Sequence, residues 1–465
     1  MDLEAQIRNI NDQLEFVKIC NAVFTAKYGH DFQIIDGSRP DGGNDGYIQS
    51  EKRLLAIYCP TKPENRTDKD FQDKINTDLE KAKNLRDSGK FAIEEWSFIT
   101  PGKLSNAIII KLREKAQEFG FNGNHLEATF LSDELLKNQY LLEKFPGLYL
   151  LTLEPKIEEI LRHVKPKQAS KEETDILINK RYEKTTKDKE SQDLKRVFEI
   201  LEVEQSDKSK TELRTIFYKT TDKIAQVNAI LGLLHWNDSL EDKDEDMVEW
   251  CNQGIRISVE LGDKLLHAMF LLNKGFYLSR IWAKKDIETY YVIRKGNIIG
   301  IQAISEEELQ IRIKELKLLE EAFLNAFKNA MDIGIELQNV TLLAQVYLKI
   351  GQAAEIRFIH LNKIGTQDRA IKEMVLAKSS LIHAKNLYTA IGYELGVGYA
   401  LHNLANSLFT FGEKEEAKGL NKTVIEIAQK YNDNSLLQTA IWLKENLETG
   451  RIPDYVHGER RERKK

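Results

Sequence analysis

Cysteine and proline are scarce in this chain, whose 465 residues include only three cysteines and eight prolines. The cysteines, Cys20, Cys59 and Cys251, are far apart and odd in number, which excludes a disulfide framework and a cysteine-based zinc site. The sequence contains no run of about eighteen apolar residues, the length that could cross a membrane. It also begins without the basic and then apolar order of a secretory signal. We therefore expect a cytoplasmic protein with no membrane contact.

Several catalytic motifs are also absent. The sequence has no Walker-type phosphate loop, no HExxH zinc motif and no GxSxG nucleophile turn, which argues against an ATPase, a zinc protease and an α/β-hydrolase. Its net charge of −5 provides no overall positive field for nucleic acid. Any contact with DNA or RNA would therefore need a local patch or a small cleft.

The composition indicates a helix-rich globular protein of more than one domain. The sequence is 42% hydrophobic and 30% charged, and its length exceeds the roughly 100–200 residues of one domain. Residues 1–155 alternate short β-branched runs with helical stretches, which predicts an α/β domain. Residues 156–195 predict a charged linker or exposed helix, residues 196–450 an all-α region, and residues 451–465 a basic tail.

The predicted elements of the first domain are a helix, three strands, and then alternating helices and strands. The first helix covers Leu3–Lys27 and carries apolar residues on one face, namely Ile7, Ile10, Leu14, Val17 and Val23. A glycine-rich turn, Gly37–Gly46, separates the first two strands. Strands are predicted at Phe32–Ile35, Tyr47–Gln49, Leu54–Tyr58, Trp96–Thr100 and about Leu126–Leu131, and further helices at Lys69–Leu85, Ser105–Phe119 and Asp133–Lys144.

Small residues recur inside the apolar helices of the second part. Gly232, Gly275, Gly351 and Ala405 occupy equivalent places, where a small side chain lets the partner helix of a hairpin approach closely. Phrases such as ISVELGDKLLHA and LYTAIGYELGVGYA predict a helix, a short turn and the next helix. The segment DIETYYVIRKGNIIGIQAISEEE predicts a small β-hairpin, followed by a long helix over about Ser305–Leu337.

The segment YALHNLANSLFTFGEKEEAKGLNKTVIEIAQ resembles one unit of a tetratricopeptide repeat. The resemblance rests on seven positions at that family's spacing: Leu401, Leu404, Ala405, Leu408, Gly412, Ala417 and Val424. It implies stacked helical hairpins with a concave face for a protein or peptide partner. The array is irregular, because its small residues do not recur at the roughly 34-residue period of a regular array.

Aromatic residues gather around the second of these units and the inserted segment. They are Phe270, Phe276, Tyr277, Trp282, Tyr290 and Tyr291. One interpretation is a stacking platform for a nucleotide or a peptide, and the other is the core of a helical hairpin. Helical spacing favours the core for most of them, whereas the role of Tyr290 and Tyr291 stays open.

The first domain resembles the PD-(D/E)xK nuclease superfamily, and most closely its restriction-endonuclease-like domains of the Mrr type. The resemblance rests on the element order, on the GGNDGY turn that leads into the second strand and on the apolar third strand, over about residues 5–150. It implies metal-dependent cleavage of phosphodiester bonds. In such a site acidic groups hold Mg²⁺ or Mn²⁺, and a lysine orients or activates the attacking water.

The resemblance also assigns site residues by position. Glu15 matches the acid of the first helix and Asp45 the metal-binding aspartate, so these two are the expected metal ligands. The third strand, LLAIYCPTK, departs from the family pattern, because Tyr58 and Pro60 stand where an acid or glutamine and a lysine are expected. Lys62, two residues later, is the expected catalytic lysine.

Three interpretations of this departure stay open. Lys62 swings back into the site, or Gln72 and Lys74 of the following helix contribute instead, or the site has lost its chemistry. A proline at the lysine position removes a strand donor, which predicts that this strand ends at an edge or a bulge.

The resemblance predicts a nuclease-like effector of a prokaryotic defence system, in which helical repeats sense a trigger and control metal-dependent phosphodiester hydrolysis. It also implies nucleic acid as a partner, with DNA expected before RNA, and a homodimer. One alternative is a catalytically inactive adaptor that binds nucleic acid or a partner protein and assembles a complex through its repeats. Another is a repeat-based regulator that binds a signalling peptide.

Overall fold

The computed structural model describes residues 3–10, 12–35, 44–60, 67–163, 191–202, 206–235, 243–294, 297–301, 304–363 and 365–450. Lys62, most of the glycine-rich turn, most of the charged linker and the basic tail lie outside the described residues. The chain divides into two units, Met1–Glu154 and Pro155–Lys465. The first is an α+β unit with a mixed sheet, and the described residues of the second are helical apart from one β-hairpin.

The α+β unit follows the predicted alternation of helices and strands. Its strands are β1 (Phe32–Ile34), β2 (Gly46–Ile48), β3 (Arg53–Ile57), β4 (Glu95–Ile99) and β5 (Asn122–Leu126). Its helices are α1 (Leu3–Arg8), α2 (Gln13–Tyr28), α3 (Asp68–Asp87), α4 (Asn106–Glu118), α5 (Ala128–Lys137), α6 (Gln139–Leu142) and α7 (Pro146–Leu151).

The strands form one sheet in the order β1-β2-β3-β4-β5. β1, β2 and β3 pair antiparallel as consecutive strands. β3 pairs with β4 and β4 with β5 in parallel, with Leu54 opposite Trp96. The carboxyl ends of three parallel strands therefore share one edge of the sheet, which is where functional groups collect in such sheets.

Two helices cover one face of this sheet. Leu54 and Trp96 point into a core with Phe71 and Ile75 of α3 and Leu112 of α4. The alternate residues of β3 and β4 are buried as well. Burial on both faces explains why these strands are continuous apolar runs without an alternating polar pattern.

The predicted helix over Leu3–Lys27 is wrong in one respect, because the structure divides it into α1 and α2. Asp12 caps the start of α2, where its Oδ1 accepts the N–H groups of Leu14 and Glu15 at 2.8 and 3.0 Å. Short polar side chains favour such caps over helix interiors. The break changes the helical phase, and Leu14, predicted on the apolar face, is 59% exposed.

The strand predicted near Leu126–Leu131 is also displaced, since β5 covers Asn122–Leu126 and α5 begins at Ala128. The strand sequence, NGNHL, is polar because β5 lies at the edge of the sheet. Pairing with β4, and not its own composition, makes this segment a strand. The apolar residues that suggested a strand belong to the first turns of α5.

The second unit is a succession of helices. They are α8 (Glu154–His163), α9 (Gln192–Glu202), α10 (Asp207–Lys219), α11 (Lys223–His235), α12 (Asp244–Glu260), α13 (Lys264–Tyr290), α14 (Glu306–Glu336), α15 (Val340–Lys363), α16 (Gln367–Ala390), α17 (Glu394–Thr410), α18 (Lys414–Lys430) and α19 (Asn434–Thr449). Between α13 and α14, β6 (Tyr291–Arg294) and β7 (Asn297–Ile301) form the predicted antiparallel hairpin. The described part of the chain contains no helix that is long and apolar enough to cross a bilayer.

Within the described residues, the same turn joins six helix pairs of this unit. In each, the next helix begins four residues after the previous one ends, and the middle residue has a left-handed backbone. The N–H after that residue bonds back to the last helical turn, as Glu413 does to Leu408 O at 2.8 Å. This is the Schellman way of ending a helix. The left-handed residues are Gly262, Gln338, Gly365, Gly392, Gly412 and Asn432.

The prediction that small residues permit close helix packing is confirmed. A Cβ at Gly351 would lie 2.6 Å from Leu381 Cγ, and one at Gly275 would lie 2.9 Å from the ring of Phe327. Ala405 is fully buried. The last three helices begin twenty residues apart, whereas the roughly 34 residues of a regular tetratricopeptide unit allow about 17 for each helix.

Candidate functional site

Asp45 directly precedes β2 and lies beside the end of β3. Its backbone continues the sheet, because its N–H donates to Leu55 O at 2.7 Å and its carbonyl accepts the N–H of Ile35 at 3.0 Å. Its side chain turns to the end of β3, where Oδ2 accepts the N–H of Ile57 at 2.7 Å. The neighbouring Asn44 is fixed by a hydrogen bond from Trp96 Nε1 to Asn44 Oδ1 at 3.0 Å. The Asp45 carboxylate is therefore held at a defined place on the carboxyl edge of the parallel strands.

Helix α3 supplies an ion pair that lies within electrostatic range of Asp45. Lys74 Nζ donates to Asp78 Oδ1 at 2.8 Å, one helical turn away. Asp78 is 1% exposed, whereas the Lys74 side chain is 31% exposed. Lys74 also lies over the ring of Tyr58, with Nζ 5.7 Å from the ring centroid.

The charges of these three groups influence one another. Burial raises the pKa of Asp45, while the Ile57 N–H and the Lys74 ammonium oppose that rise. Burial also raises the pKa of Asp78, Lys74 opposes it, and the negative charge of Asp45 adds to it. A half-buried carboxyl group, Asp45, and a buried one, Asp78, thus share the field of one lysine, an arrangement that is common in functional sites. We call Asp45, Lys74 and Asp78 the carboxylate–lysine cluster.

Tyr58 has a packing role at the strand position where the resemblance expects an acid or a glutamine. Its ring lies 6.1 Å from the ring of Phe71, edge to face, and 6.1 Å from that of Phe98. Cys59 and Pro60, which follow it, are also buried. The end of β3 therefore contributes apolar surface and backbone groups to the site.

Gln13, the first residue of α2, fastens the end of β3. Its Nε2 donates to Ile57 O at 3.1 Å, and its Oε1 accepts the N–H of Cys59 at 2.6 Å. Glu15, the metal ligand expected from the resemblance, is an exposed residue in the first turn of the same helix. Residues two apart point in different directions on a helix, so the two side chains leave α2 on different faces.

The structure also separates the two helical candidates for the lysine role. Lys74 belongs to the carboxylate–lysine cluster, whereas Gln72 Oε1 accepts a hydrogen bond from Lys111 of α4 at 3.0 Å. Lys62, the lysine expected from the resemblance, lies outside the described residues.

Asp78 is the site residue that the sequence reasoning missed, although the sequence contains a signal for it. The apolar stripe of α3 is formed by Phe71, Ile75, Leu79, Ala82 and Leu85, and Asp78 lies within this stripe. A single carboxylate within an apolar helical stripe is buried although charged groups are rarely buried without a partner. A lysine four residues before it on the same helix is therefore the expected partner.

Within the described ranges, no group of three or more His, Cys, Asp and Glu side chains is arranged to hold a metal ion. The oxygen donors of the cluster are two carboxylates, the type of ligand that Mg²⁺ and Mn²⁺ prefer. No protein-family model matches the chain, and no curated protein matches it in sequence. Any functional assignment must therefore rest on the fold and on the geometry of the site.

Proposed function

We propose that the α+β unit is a metal-dependent nuclease that hydrolyses phosphodiester bonds, with DNA expected before RNA. The observation that carries this proposal is the carboxylate–lysine cluster at the carboxyl edge of the parallel strands. Two carboxylates and one lysine are the groups that such hydrolysis requires, and here the lysine comes from α3 instead of the strand end. The cluster supports the hypothesis that Lys74 replaces a strand lysine.

Each residue of the cluster has a distinct role in this proposal. Asp45 and Asp78 would hold Mg²⁺ or Mn²⁺ by their carboxylate oxygens. The ion supplies positive charge against the scissile phosphate. Lys74, partly exposed over Tyr58, is positioned to orient a water molecule or to donate a hydrogen bond to a phosphate oxygen. Gln13 keeps the backbone of Ile57–Cys59 in place, so that the Ile57 N–H fixes the Asp45 carboxylate.

The order of elements supports a restriction-endonuclease-like fold for this unit. A helix precedes an antiparallel strand trio, and a helix, a parallel strand, a second helix and a parallel strand follow. The repeated turns and close helix contacts of the second unit support a tetratricopeptide-like array. In the proposal this array binds a protein or peptide trigger and controls the nuclease, as in an effector of prokaryotic defence.

The test is cleavage of plasmid DNA and of a structured RNA by the full chain with Mg²⁺ or Mn²⁺, with EDTA as the metal-free control. Asp45→Asn, Asp78→Asn and Lys74→Met are each expected to lower the cleavage rate at least about 100-fold. Asp73→Asn and Lys69→Met, exposed acid and lysine changes on the same helix, should keep the rate of the unmodified chain.

The variant Lys62→Ala decides which lysine serves the site. Full activity of Lys62→Ala together with loss in Lys74→Met supports the assignment to Lys74. The reverse pattern would return the role to Lys62 and refute the assignment to Lys74. Cleavage that persists in Asp45→Asn and Asp78→Asn would refute the nuclease site altogether.

A second candidate function is an adaptor that uses the same fold to bind nucleic acid or a partner protein without cleavage. The contacts of Tyr58 with Phe71 and Phe98 favour it, because an aromatic residue that packs against the core occupies the strand position of a metal ligand. An adaptor would bind DNA, RNA or a partner in a pull-down with the full chain. It would leave the nucleic acid uncut with or without metal, and the Asp45→Asn change would not alter this result.

A further inference from the structure

Tyr58 has a polar group beside the carboxylate–lysine cluster to which the mechanism above gives no role. It stands directly after β3, next to Ile57, whose N–H binds the Asp45 carboxylate. Its ring packs against the core under α3 and α4, but the side chain is only half-buried. Packing explains the ring of this residue and leaves the hydroxyl unexplained.

Three neighbours hold the ring of Tyr58 in place. Phe71 meets it edge to face and Phe98 lies tilted beside it, each with its ring centroid 6.1 Å away. The Lys74 ammonium lies over the ring at 5.7 Å from its centroid, within the range of a cation–π contact. A ring that is already held loses little freedom when a ligand binds, so its hydroxyl is preorganised.

The Tyr58 hydroxyl forms no hydrogen bond with any residue that the structure describes. Burial raises the pKa of the Tyr58 phenol above its usual value, and the negative charges of Asp70 and Asp78 add to the rise. The phenol oxygen therefore lies within electrostatic range of Asp78, the buried carboxylate of the cluster. The raised pKa keeps the proton on the phenol at neutral pH, so the hydroxyl acts as a donor and not as a base.

Tyr58 and Lys74 place two hydrogen-bond donors side by side at the accessible end of the cluster. Lys74 donates to Asp78 at 2.8 Å, but its ammonium has three donor protons and its side chain is 31% exposed. A phosphate group accepts at several oxygens, so it can join two donors that lie up to about 8 Å apart. Because the Lys74 ammonium lies over the Tyr58 ring at 5.7 Å, both donors are within the span of one phosphate.

We propose that Tyr58 is a substrate-binding residue, whose hydroxyl donates a hydrogen bond to a phosphate oxygen of the nucleic acid while Lys74 contacts the same phosphate group. This inference rests on the proposed nuclease function. An acid or a glutamine at this strand position would supply a metal-binding oxygen, whereas tyrosine supplies a neutral donor. Such a donor suits an anionic phosphate oxygen and leaves the carboxylates of Asp45 and Asp78 to the metal ion.

The test compares Tyr58→Phe, which removes the hydroxyl and keeps the ring, with Tyr140→Phe, which removes the hydroxyl of an exposed tyrosine in the same unit. Binding of a fluorescein-labelled DNA duplex to the full chain is measured by fluorescence anisotropy with Ca²⁺, and cleavage of the same duplex is measured with Mg²⁺ or Mn²⁺. A structured RNA is treated in the same way. Thermal unfolding and the Mg²⁺ concentration for half-maximal cleavage are recorded for each variant.

Tyr58→Phe is expected to lower kcat/KM at least about tenfold and to weaken binding by a similar factor, the effect of losing one hydrogen bond to a charged group. Its unfolding temperature and Mg²⁺ dependence should stay unchanged, because the hydroxyl has no protein partner and holds no metal.

The role of Tyr58 is overturned, and the nuclease function stands, if the unmodified chain cleaves and Tyr58→Phe binds and cleaves equally well. It is also overturned if Tyr140→Phe causes the same loss, or if the loss in Tyr58→Phe comes with a lower unfolding temperature. A chain that neither binds nor cleaves DNA or RNA overturns the proposed function and the inference that rests on it.

Discussion

The Lys74–Asp78 pair allows a prediction in which the two partners have opposite effects on stability. Lys74→Met keeps the side-chain stem over Tyr58 but leaves the Asp78 carboxylate buried without its ammonium partner. Asp78→Leu removes the buried charge and extends the apolar stripe of α3. The double variant removes both charges. Lys74→Met is costly because it leaves a buried carboxylate without a partner. Asp78→Leu carries no such cost, because the lysine that it leaves is partly exposed to water.

The burial of each partner sets the expected magnitudes. Breaking a buried ion pair costs about 3–5 kcal/mol, and the 31% exposure of Lys74 reduces the expected cost of Lys74→Met to about 2–3 kcal/mol. A fully buried leucine contributes about 1.5–3 kcal/mol, so Asp78→Leu should be neutral or stabilising by up to about 2 kcal/mol. The double variant should then be at least as stable as the unmodified chain.

Hydrogen-exchange mass spectrometry of the full chain measures these effects locally, because the exchange of β3 and β4 amides reports the opening free energy of the α+β unit alone. Lys69→Met, which changes an exposed lysine of the same helix, should shift that free energy by no more than about 0.5 kcal/mol. Equal losses in Lys74→Met and Asp78→Leu would refute the reasoning. So would a double variant less stable than Lys74→Met.

Three further predictions concern the packing, the capping and the titration described above. Gly351→Ala should destabilise the helical unit by about 1–3 kcal/mol, since its Cβ would meet a leucine carbon at 2.6 Å, whereas Gly419→Ala, with open space around its Cβ, should stabilise it by up to about 1 kcal/mol. Thermal unfolding measures both, and shifts of the same sign would contradict the packing argument. Asp12→Ala should cost about 1 kcal/mol through the lost cap of α2, and unchanged amide exchange in its first turn would contradict this. Because burial raises the pKa of Asp45 and Asp78, the folded unit binds protons more tightly than the unfolded chain, so the cost of burying these carboxylates should be relieved as the pH falls through their raised pKa values toward the ordinary aspartate value. Urea unfolding should show a flatter pH profile for the variant with both residues changed to Asn, and an unchanged profile would count against the assignment.

The apolar strands and the stripe of α3 could be predicted from the sequence because burial on both sheet faces and on one helix face leaves a clear pattern. The break between α1 and α2 depends on one capping aspartate, Asp12, within a periodic segment. β5 could not be predicted from its composition, because its strand state results from pairing with β4. Local sequence patterns therefore predict most of the elements. An element that depends on pairing with a distant part of the chain, such as β5, is not predicted by its own sequence.

The candidate site likewise contains residues that the sequence predicts and residues that only the structure identifies. Asp45 follows from the turn that precedes β2, and the structure supports its place at the edge of the sheet. The roles of Gln13 and Asp78 depend on which face of each helix packs against the sheet. The spacing of residues within a helix does not determine which neighbour that face contacts. The orientation of α2, seen only in the structure, brings Gln13 to the end of β3 and leaves Glu15 exposed.

Asp78 also indicates why the cluster is better explained by function than by stability. A leucine at this position would complete the stripe of α3 and would avoid the cost of burying a charge, so the carboxylate does not stabilise the helix. Residues that lower stability where an apolar side chain would fit are characteristic of functional sites. If Asp78→Leu both stabilises the α+β unit and abolishes metal-dependent cleavage, the cluster is a catalytic site. If it stabilises the unit and leaves nucleic-acid binding intact in a chain that never cleaves, the adaptor function is the better account of the same geometry.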